Sequence, residues 1–208
     1  DCNLNKKLLI FSIIIIALLT GCDKNKDFCI HVIDVGQADS ILITTPSNKN
    51  MLIDGGDEDS AKIIKSYLKN KKVKNLDVVI ATHPDSDHIG SLDYIIDNFD
   101  VEKIYMPNQT TDSECYINLI DSCNKKNLKV NYLSKDDSFN LDDSTNIYVL
   151  SPSYITDNNN SNSIVLNISY KNNNFLFTGD CEESNEMDMI NSYNLEDIDF
   201  LKVAHHGS

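Results

Sequence analysis

Arginine is absent from this 208-residue chain: all 18 basic residues are lysines, set against 32 aspartates and glutamates, for a formal net charge of −14. Such a surface repels polyanions at long range, and lysine lacks the planar fork that grips a phosphate at two points. Non-specific binding to long nucleic acid is therefore disfavoured. Cysteine is also sparse. Its six positions (2, 22, 29, 115, 123 and 181) include no C-x-x-C zinc pair and are too scattered for an exported disulfide scaffold. Cys115 and Cys123 fall on one expected helix, about 12 Å apart at ~1.5 Å per residue, too far to bridge. The cysteines are expected in the core. No internal repeat and no second domain are visible.

What is present begins with a leader-like segment. Lys6 and Lys7 precede the apolar run "LLIFSIIIIALL", Leu8 to Leu19. That run is shorter than the roughly 20 residues that span a bilayer, whereas a basic start and a short apolar stretch describe a secretory signal. It ends in "LTGC", which resembles a bacterial lipobox with Cys22 as the lipidated residue. Residues 1–21 are thus expected as a lipoprotein signal peptide and 22–27 as a tether. The protein would then sit on the extracytoplasmic face of the cell membrane through a lipid anchor. A buried strand or a short membrane anchor is the alternative.

From Phe28 onward, β-rich runs ("FCIHVIDV", "SILITT", "MLID") give way to a helix around Ser60 to Lys71, with Ile63, Ile64, Tyr67 and Leu68 on one face. "LDVVIAT" is nearly all apolar, as in a strand buried on both faces. It leads straight into "HPDSDH", His83 to His88. Helices are expected around Ser91 to Phe99, Asp112 to Lys126 and Glu182 to Tyr193. "KIYMP", "KVNYL" and "NIYVLSP" read as strands, Ser134 to Asn146 as a polar stretch, and "IVLNISY" and "NFLFTGD" as a hairpin. Strands in a meander followed by alternating strands and helices imply two packed sheets with outer helices.

Glycine is rationed to seven positions. One lies in the lipobox; each of the others sits in a loop with Asp or His: "DVGQAD", "IDGG", "DHIG", "TGD", "HHGS". Four of the five histidines share those loops, at 83, 88, 205 and 206. His31 stands apart and reads as structural. Three strand ends therefore offer ligands: His83, Asp85, Asp87 and His88; Asp180; and His205 or His206. A dinuclear hydrolytic site needs two divalent ions ~3.5–4 Å apart. His83 and Asp85, two apart in an extended loop, would face one ion. Asp87 and His88, past the bend, would face the other, with Asp180 between them. Alone, "HPDSDH" could equally be a solvated acidic turn.

"HPDSDHIG" resembles the H-x-[HD]-x-D-H signature of the metallo-β-lactamase fold. "HVIDVGQADSILI", "MLIDGG", "NSNS", "FLFTGD" and "LKVAHHGS" follow in the order seen in ComEC-type competence proteins and their stand-alone relatives. The resemblance spans residues 28–208. It implies a four-layer αββα sandwich, with metal ligands at His83, Asp85, Asp87, His88, Asp180 and the His205–His206 pair. Asp87 and Asp180 would be the carboxylates nearest the chemistry. Asp54 takes a supporting acidic position, and Asn160 and Ser163 fall on an N-x-x-S pattern where other relatives carry a histidine. Ala38 replaces a glycine of the usual G-Q-G-D. Relatives continue beyond "HHGS", so the second sheet is expected to be incomplete, with the carboxyl-terminal part of the domain missing.

The expected activity is that of a metal-dependent phosphodiesterase, in which a hydroxide bridging two divalent ions attacks phosphorus. Zn²⁺ is expected, with Mn²⁺ favoured as a competitor by aspartate at position 85. The acidic surface points to a small, wall-linked or single-stranded nucleic-acid substrate. The alternative is a truncated or degenerate relative without catalysis, a metal-binding or interaction module.

Overall fold

The computed structural model describes residues 27–195 and 197–208. The expected signal peptide (1–21), Cys22 and most of the tether lie outside the described residues.

Two sheets face each other. In the first, β1 (Cys29–Val32), β2 (Ile41–Thr44), β3 (Asn50–Ile53), β5 (Val78–Ile80), β7 (Ile104–Met106) and β8 (Val130–Tyr132) pair in that order. The first three form an antiparallel meander, and the strands from β3 to β8 run parallel. The second sheet is ordered β13 (Ile198–Lys202), β12 (Asn173–Phe177), β11 (Val165–Tyr170), β10 (Thr145–Ser151), β9 (Ser138–Asp142). Its β12–β13 pair is parallel and the rest antiparallel. β4 (Asn75–Leu76) and β6 (Asp100–Val101) make a small separate pair.

Period-two alternation builds the layers. Leu42, Leu52 and Val79 point to one side of the first sheet, onto Ile64 and Leu68 of α1 (Ala61–Asn70), Leu92 and Ile95 of α3 (Leu92–Asn98) and Leu119 of α4 (Glu114–Lys125). Their neighbours Ile41, Ile43, Met51, Ile53, Val78 and Ile80 point the other way, onto Ile147, Val149, Leu166, Ile168 and Phe177 of the second sheet. The far side of that sheet sends Leu150, Val165 and Leu176 against Met189 of α5 (Glu183–Ser192). The result is the αββα order. Because β3 and β5 carry apolar side chains on both faces, their residues are buried throughout. Truncating a core residue such as Leu52 to alanine should cost ~2–5 kcal/mol.

Three sequence expectations need adjustment. Ile63 is half-exposed at 50%, so the buried stripe of α1 is narrower than expected. The polar stretch Ser134 to Asn146 contains β9, an edge strand in which Leu141 alone is fully buried. The "HPDSDH" loop is extended only as far as Asp85, where a single helical turn, α2 (Ser86–Ile89), begins.

Candidate metal centre

The parallel pairs β3–β5 and β12–β13 all point their carboxyl ends at one edge of the sandwich, the usual place for a ligand crevice in α/β sheets. Backbone hydrogen bonds then lock the loops that follow. Asp54 N–H donates to Ile80 O (2.9 Å), Gly55 N–H to His88 O (2.6 Å), Gly56 N–H to Asp39 O (2.7 Å) and Asp39 N–H to Asp87 O (3.2 Å). Across the sheets, Ile164 N–H donates to Thr82 O (2.9 Å). Gly179 is required here. Its φ is +53°, and a Cβ would sit 3.1 Å from Ser163 Cβ and 3.2 Å from Thr82 Cβ. Gly90 is required for room, since a Cβ would lie 2.7 Å from the backbone nitrogen of Glu58.

Asp54 organises the two buried imidazoles. It accepts from Thr82 N–H and the Thr82 hydroxyl, both at 2.8 Å, and from His88 Nδ1–H at 2.8 Å. Having donated to Asp54, the Thr82 hydroxyl is left to accept from His83 Nδ1–H at 3.1 Å. Both rings are fully buried, and in each the Nε2 atom has no hydrogen-bond partner. Such an orphaned nitrogen is costly unless it meets a ligand. Asp54 itself adopts a left-handed φ of 59°, a conformation that Asp tolerates better than most residues.

The Nε2 atoms face carboxylates. Asp180 Oδ2 lies 3.2 Å from His88 Nε2 and 3.4 Å from His206 Nε2. Asp87 Oδ2 lies 3.2 Å from His206 Nε2 and 3.9 Å from His88 Nε2. Asp87, His88, Asp180 and His206 thus bring four ligand atoms within 4.8 Å of one another. His83 flanks this group, its ring centroid 4.1 Å from that of His88, and its Nε2 is 3.6 Å from Asp85 Oδ2. Asp85 is held at the rim by Asn159 Nδ2, which donates to it at 2.6 Å.

Charge agrees with geometry. Burial alone would lower the pKa of His88, but the adjacent Asp54 and Asp180 carboxylates outweigh it and raise the value to about 10. Burial would raise that of Asp180, yet His88 and then Lys202 hold its carboxyl well below the usual carboxylate range. His83, followed by Asn159, lowers that of Asp85 against a burial effect. The cluster calls for positive charge. A proton on His88 would answer that call in the metal-free protein, and a divalent ion would displace it. Imidazole nitrogens with carboxylate oxygens suit Zn²⁺ and, as carboxylates accumulate, Mn²⁺. The residues present fit a metal.

Of the residues expected from sequence, His83, Asp85, Asp87, His88, Asp180 and His206 converge here, with Asp54 in support. His206 is the member of the pair that faces the group. His205 is exposed, its ring centroid 6.1 Å from that of His206. The two adopt left-handed backbone at φ 47° and 53°, and this turn aims His206 inward. Ser163 supports the site through its hydroxyl, which accepts from Asp180 N–H at 3.1 Å. Asn160 does not join it. Its side chain donates to Glu182 Oε1 at 3.3 Å, and its neighbour Asn159 makes the contact instead. Asp180 does not cap α5, whose N-cap is Glu182. Sequence reading missed Asn159, Asp39 and Lys202. The signal for Lys202 was a lysine set between Leu201 and Val203, three residues before the histidine pair; for Asp39, it was the acidic end of "GQAD".

Comparison with known proteins follows the same lines. The family model described as Metallo-beta-lactamase superfamily matches residues 33–114. The chain is 26% identical over 197 residues to ComE operon protein 3 of Bacillus subtilis, covering 86% of this chain and 25% of that protein. It is 27% identical over 214 residues to Recombination protein 2 of Haemophilus influenzae, covering 100% of this chain and 24% of that protein. The chain spans about a quarter of the length of these curated relatives. Among solved structures, the metallo-beta-lactamase fold protein YhfI from Bacillus subtilis superposes with a TM-score of 0.50 at 15% identity, covering 76% of this chain and 66% of that one. Zn²⁺-bound PqqB from Methylobacterium extorquens gives 0.50 at 11% identity, covering 72% and 56%.

Proposed function

We propose, from the premise that this chain is a metallo-β-lactamase-fold protein distantly similar to the ComEC-type proteins, that it is a metal-dependent hydrolase of phosphodiesters. The observation that carries the reading is the group Asp87, His88, Asp180 and His206, in which His88 Nε2 has no hydrogen-bond partner, with the equally unpartnered Nε2 of His83 beside it. Two divalent ions are proposed, Zn²⁺ first and Mn²⁺ as a competitor. Bound metal would supply an activated water and stabilise the charge that develops on the substrate oxygen. The chain's own residues do the rest. Asp54 fixes the tautomer and aim of His88 directly, and of His83 through Thr82. Asp180 is shared between the His88 and His206 sides. Asp87, half-exposed at the rim, stands where substrate would approach.

The phosphodiester is favoured because a relative bears the name of a recombination protein. The net charge of −14 and the absence of arginine favour a small, wall-linked or single-stranded substrate over long duplex DNA. The "LTGC" motif behind a basic start supports an extracytoplasmic protein anchored to the membrane through Cys22. A second reading, a metal-binding module without catalysis, draws on Asp85, which is tied to Asn159 and lies outside the four-ligand group.

Turnover of bis-p-nitrophenyl phosphate after chelation and after metal return tests the choice. Activity that disappears and comes back supports the hydrolase. Full metal loading with no turnover of this or an oligonucleotide substrate supports the binding module.

A further inference from the structure

Lys202 ends β13 with its side chain only 13% exposed, and its ammonium reaches both sheets. Nζ donates to Gly179 O at 2.8 Å and to Asp180 Oδ1 at 3.3 Å, both in the turn after β12 of the second sheet, and contacts Asp39 Oδ2 on the loop after β1 of the first. Two of the ammonium's donors thus have hydrogen-bond acceptors, and the Asp39 carboxylate answers its charge as an ion pair. The strand places it there: Lys202 pairs with Phe177 in the parallel β12–β13 register, and its carbonyl accepts from the Thr178 hydroxyl at 2.6 Å.

The two oxygens of Asp180 consequently have separate partners. Oδ1 is held by Lys202, while Oδ2 alone faces His88 Nε2 and His206 Nε2. Asp39 lies on the Nδ1 side of both rings, its oxygens 3.7 Å from His206 Nδ1 and 3.9 Å from His88 Nδ1, and with Asp54 and His88 it forms a second group of ligand atoms within 4.8 Å that could draw a cation. We infer that Lys202 is a positioning residue for the metal centre: it ties Asp180 by Oδ1 and Asp39 by Oδ2, so that Asp180 presents only Oδ2 to an ion and Asp39 is kept out of the ligand set. Without it, Asp180 could rotate and Asp39 could swing inward. This rests on the metal reading proposed above and adds to it a residue that binds no metal.

The test is Zn²⁺ affinity, measured on the full chain by competition with a chromophoric chelator and accompanied by circular dichroism melts. Lys202→Met should lose ~10–100-fold in affinity in the folded protein, the scale typical of groups that orient metal ligands. Lys202→Arg, which keeps charge and donors, should recover part of that loss. Should the methionine variant not fold, Lys202→Gln replaces it, and the expected order is parent, then Arg, then Gln. Unchanged affinity in the neutral variants means that Lys202 is only structural and overturns the inference. Tighter binding means that its charge merely repels the ion and overturns it too. A folded parent that binds no Zn²⁺ overturns the metal reading itself and leaves Lys202 nothing to position.

Discussion

His31 and His88 are both partly or wholly enclosed imidazoles packed on the first sheet, and they differ in nearly every other respect. His31 lines a cleft of about 730 Å³ with Lys71, Lys72 and Lys74, near the start of β3. Each of its ring nitrogens has a hydroxyl partner, Tyr67 at 3.2 Å and Thr44 at 3.4 Å. Burial, and after it the charge of Lys71, lowers its pKa. His88, beyond the other end of β5, has one nitrogen on Asp54 and the other orphaned among carboxylates, and its pKa is raised to about 10. A histidine by itself therefore says little. What marks a metal ligand is an unpartnered nitrogen facing carboxylates that demand a cation.

The sharpest way to break that contrast is to remove the shared carboxylate. Asp180→Asn keeps the shape but takes the anionic oxygen from both the His88 and His206 sides, so metal-dependent turnover should fall by more than about 100-fold, beyond the usual effect of a supporting group. Parent-level hydrolysis by this variant, with metal in excess, would rule out the shared-carboxylate geometry. Asp54→Asn should do less. It loosens the aim of His88 and weakens the Thr82 contacts, so a loss of ~10–100-fold in metal affinity or activity is expected, read by the same assay.

Acidity separates the two histidines in the metal-free protein. His88 has a folded pKa above its unfolded value of about 6.5, so its contribution is fully present below pH 6.5 and is lost as pH rises toward 10. His31 has a folded pKa below the same reference, so its contribution is present above pH 6.5 and is lost as pH falls. Asp180, depressed from 3.8, adds stability above that value and loses it below. Chemical denaturation across pH should show the alkaline loss reduced in His88→Gln and the loss just below pH 6.5 reduced in His31→Gln. The reverse pattern would refute the assignments. The smallest effect expected is His31→Gln on metal: Zn²⁺ affinity should match the parent within about twofold, since only interacting sites couple strongly.

Much of this was legible in the sequence because hydrophobic alternation and glycine placement are local. "LDVVIAT" read as a strand buried on both faces, the glycine-bearing loops named His83, His88 and Asp180 in advance, and the family resemblance named Asp54. What stayed hidden depends on neighbours across space. β9 is polar because it is an edge strand with little to bury. Asn159 rather than Asn160 reaches Asp85 because a short helical turn, Asn160–Asn162, directs Asn160 toward Glu182. Likewise, the choice of His206 over His205 rests on two successive left-handed residues that residue type does not announce. Lys202 and Asp39 meet only once the two sheets are stacked.

The central claim is that the His/Asp cluster holds divalent metal, and the most direct measurement is the metal content of the folded protein. The parent chain, dialysed against Zn²⁺ and then against metal-free buffer, should retain close to two ions per chain. Its calorimetric titration near pH 7.5, repeated in buffers of different ionisation enthalpy, should show release of about one proton as His88 yields its own. A folded parent chain that retains no metal and releases no proton contradicts the account.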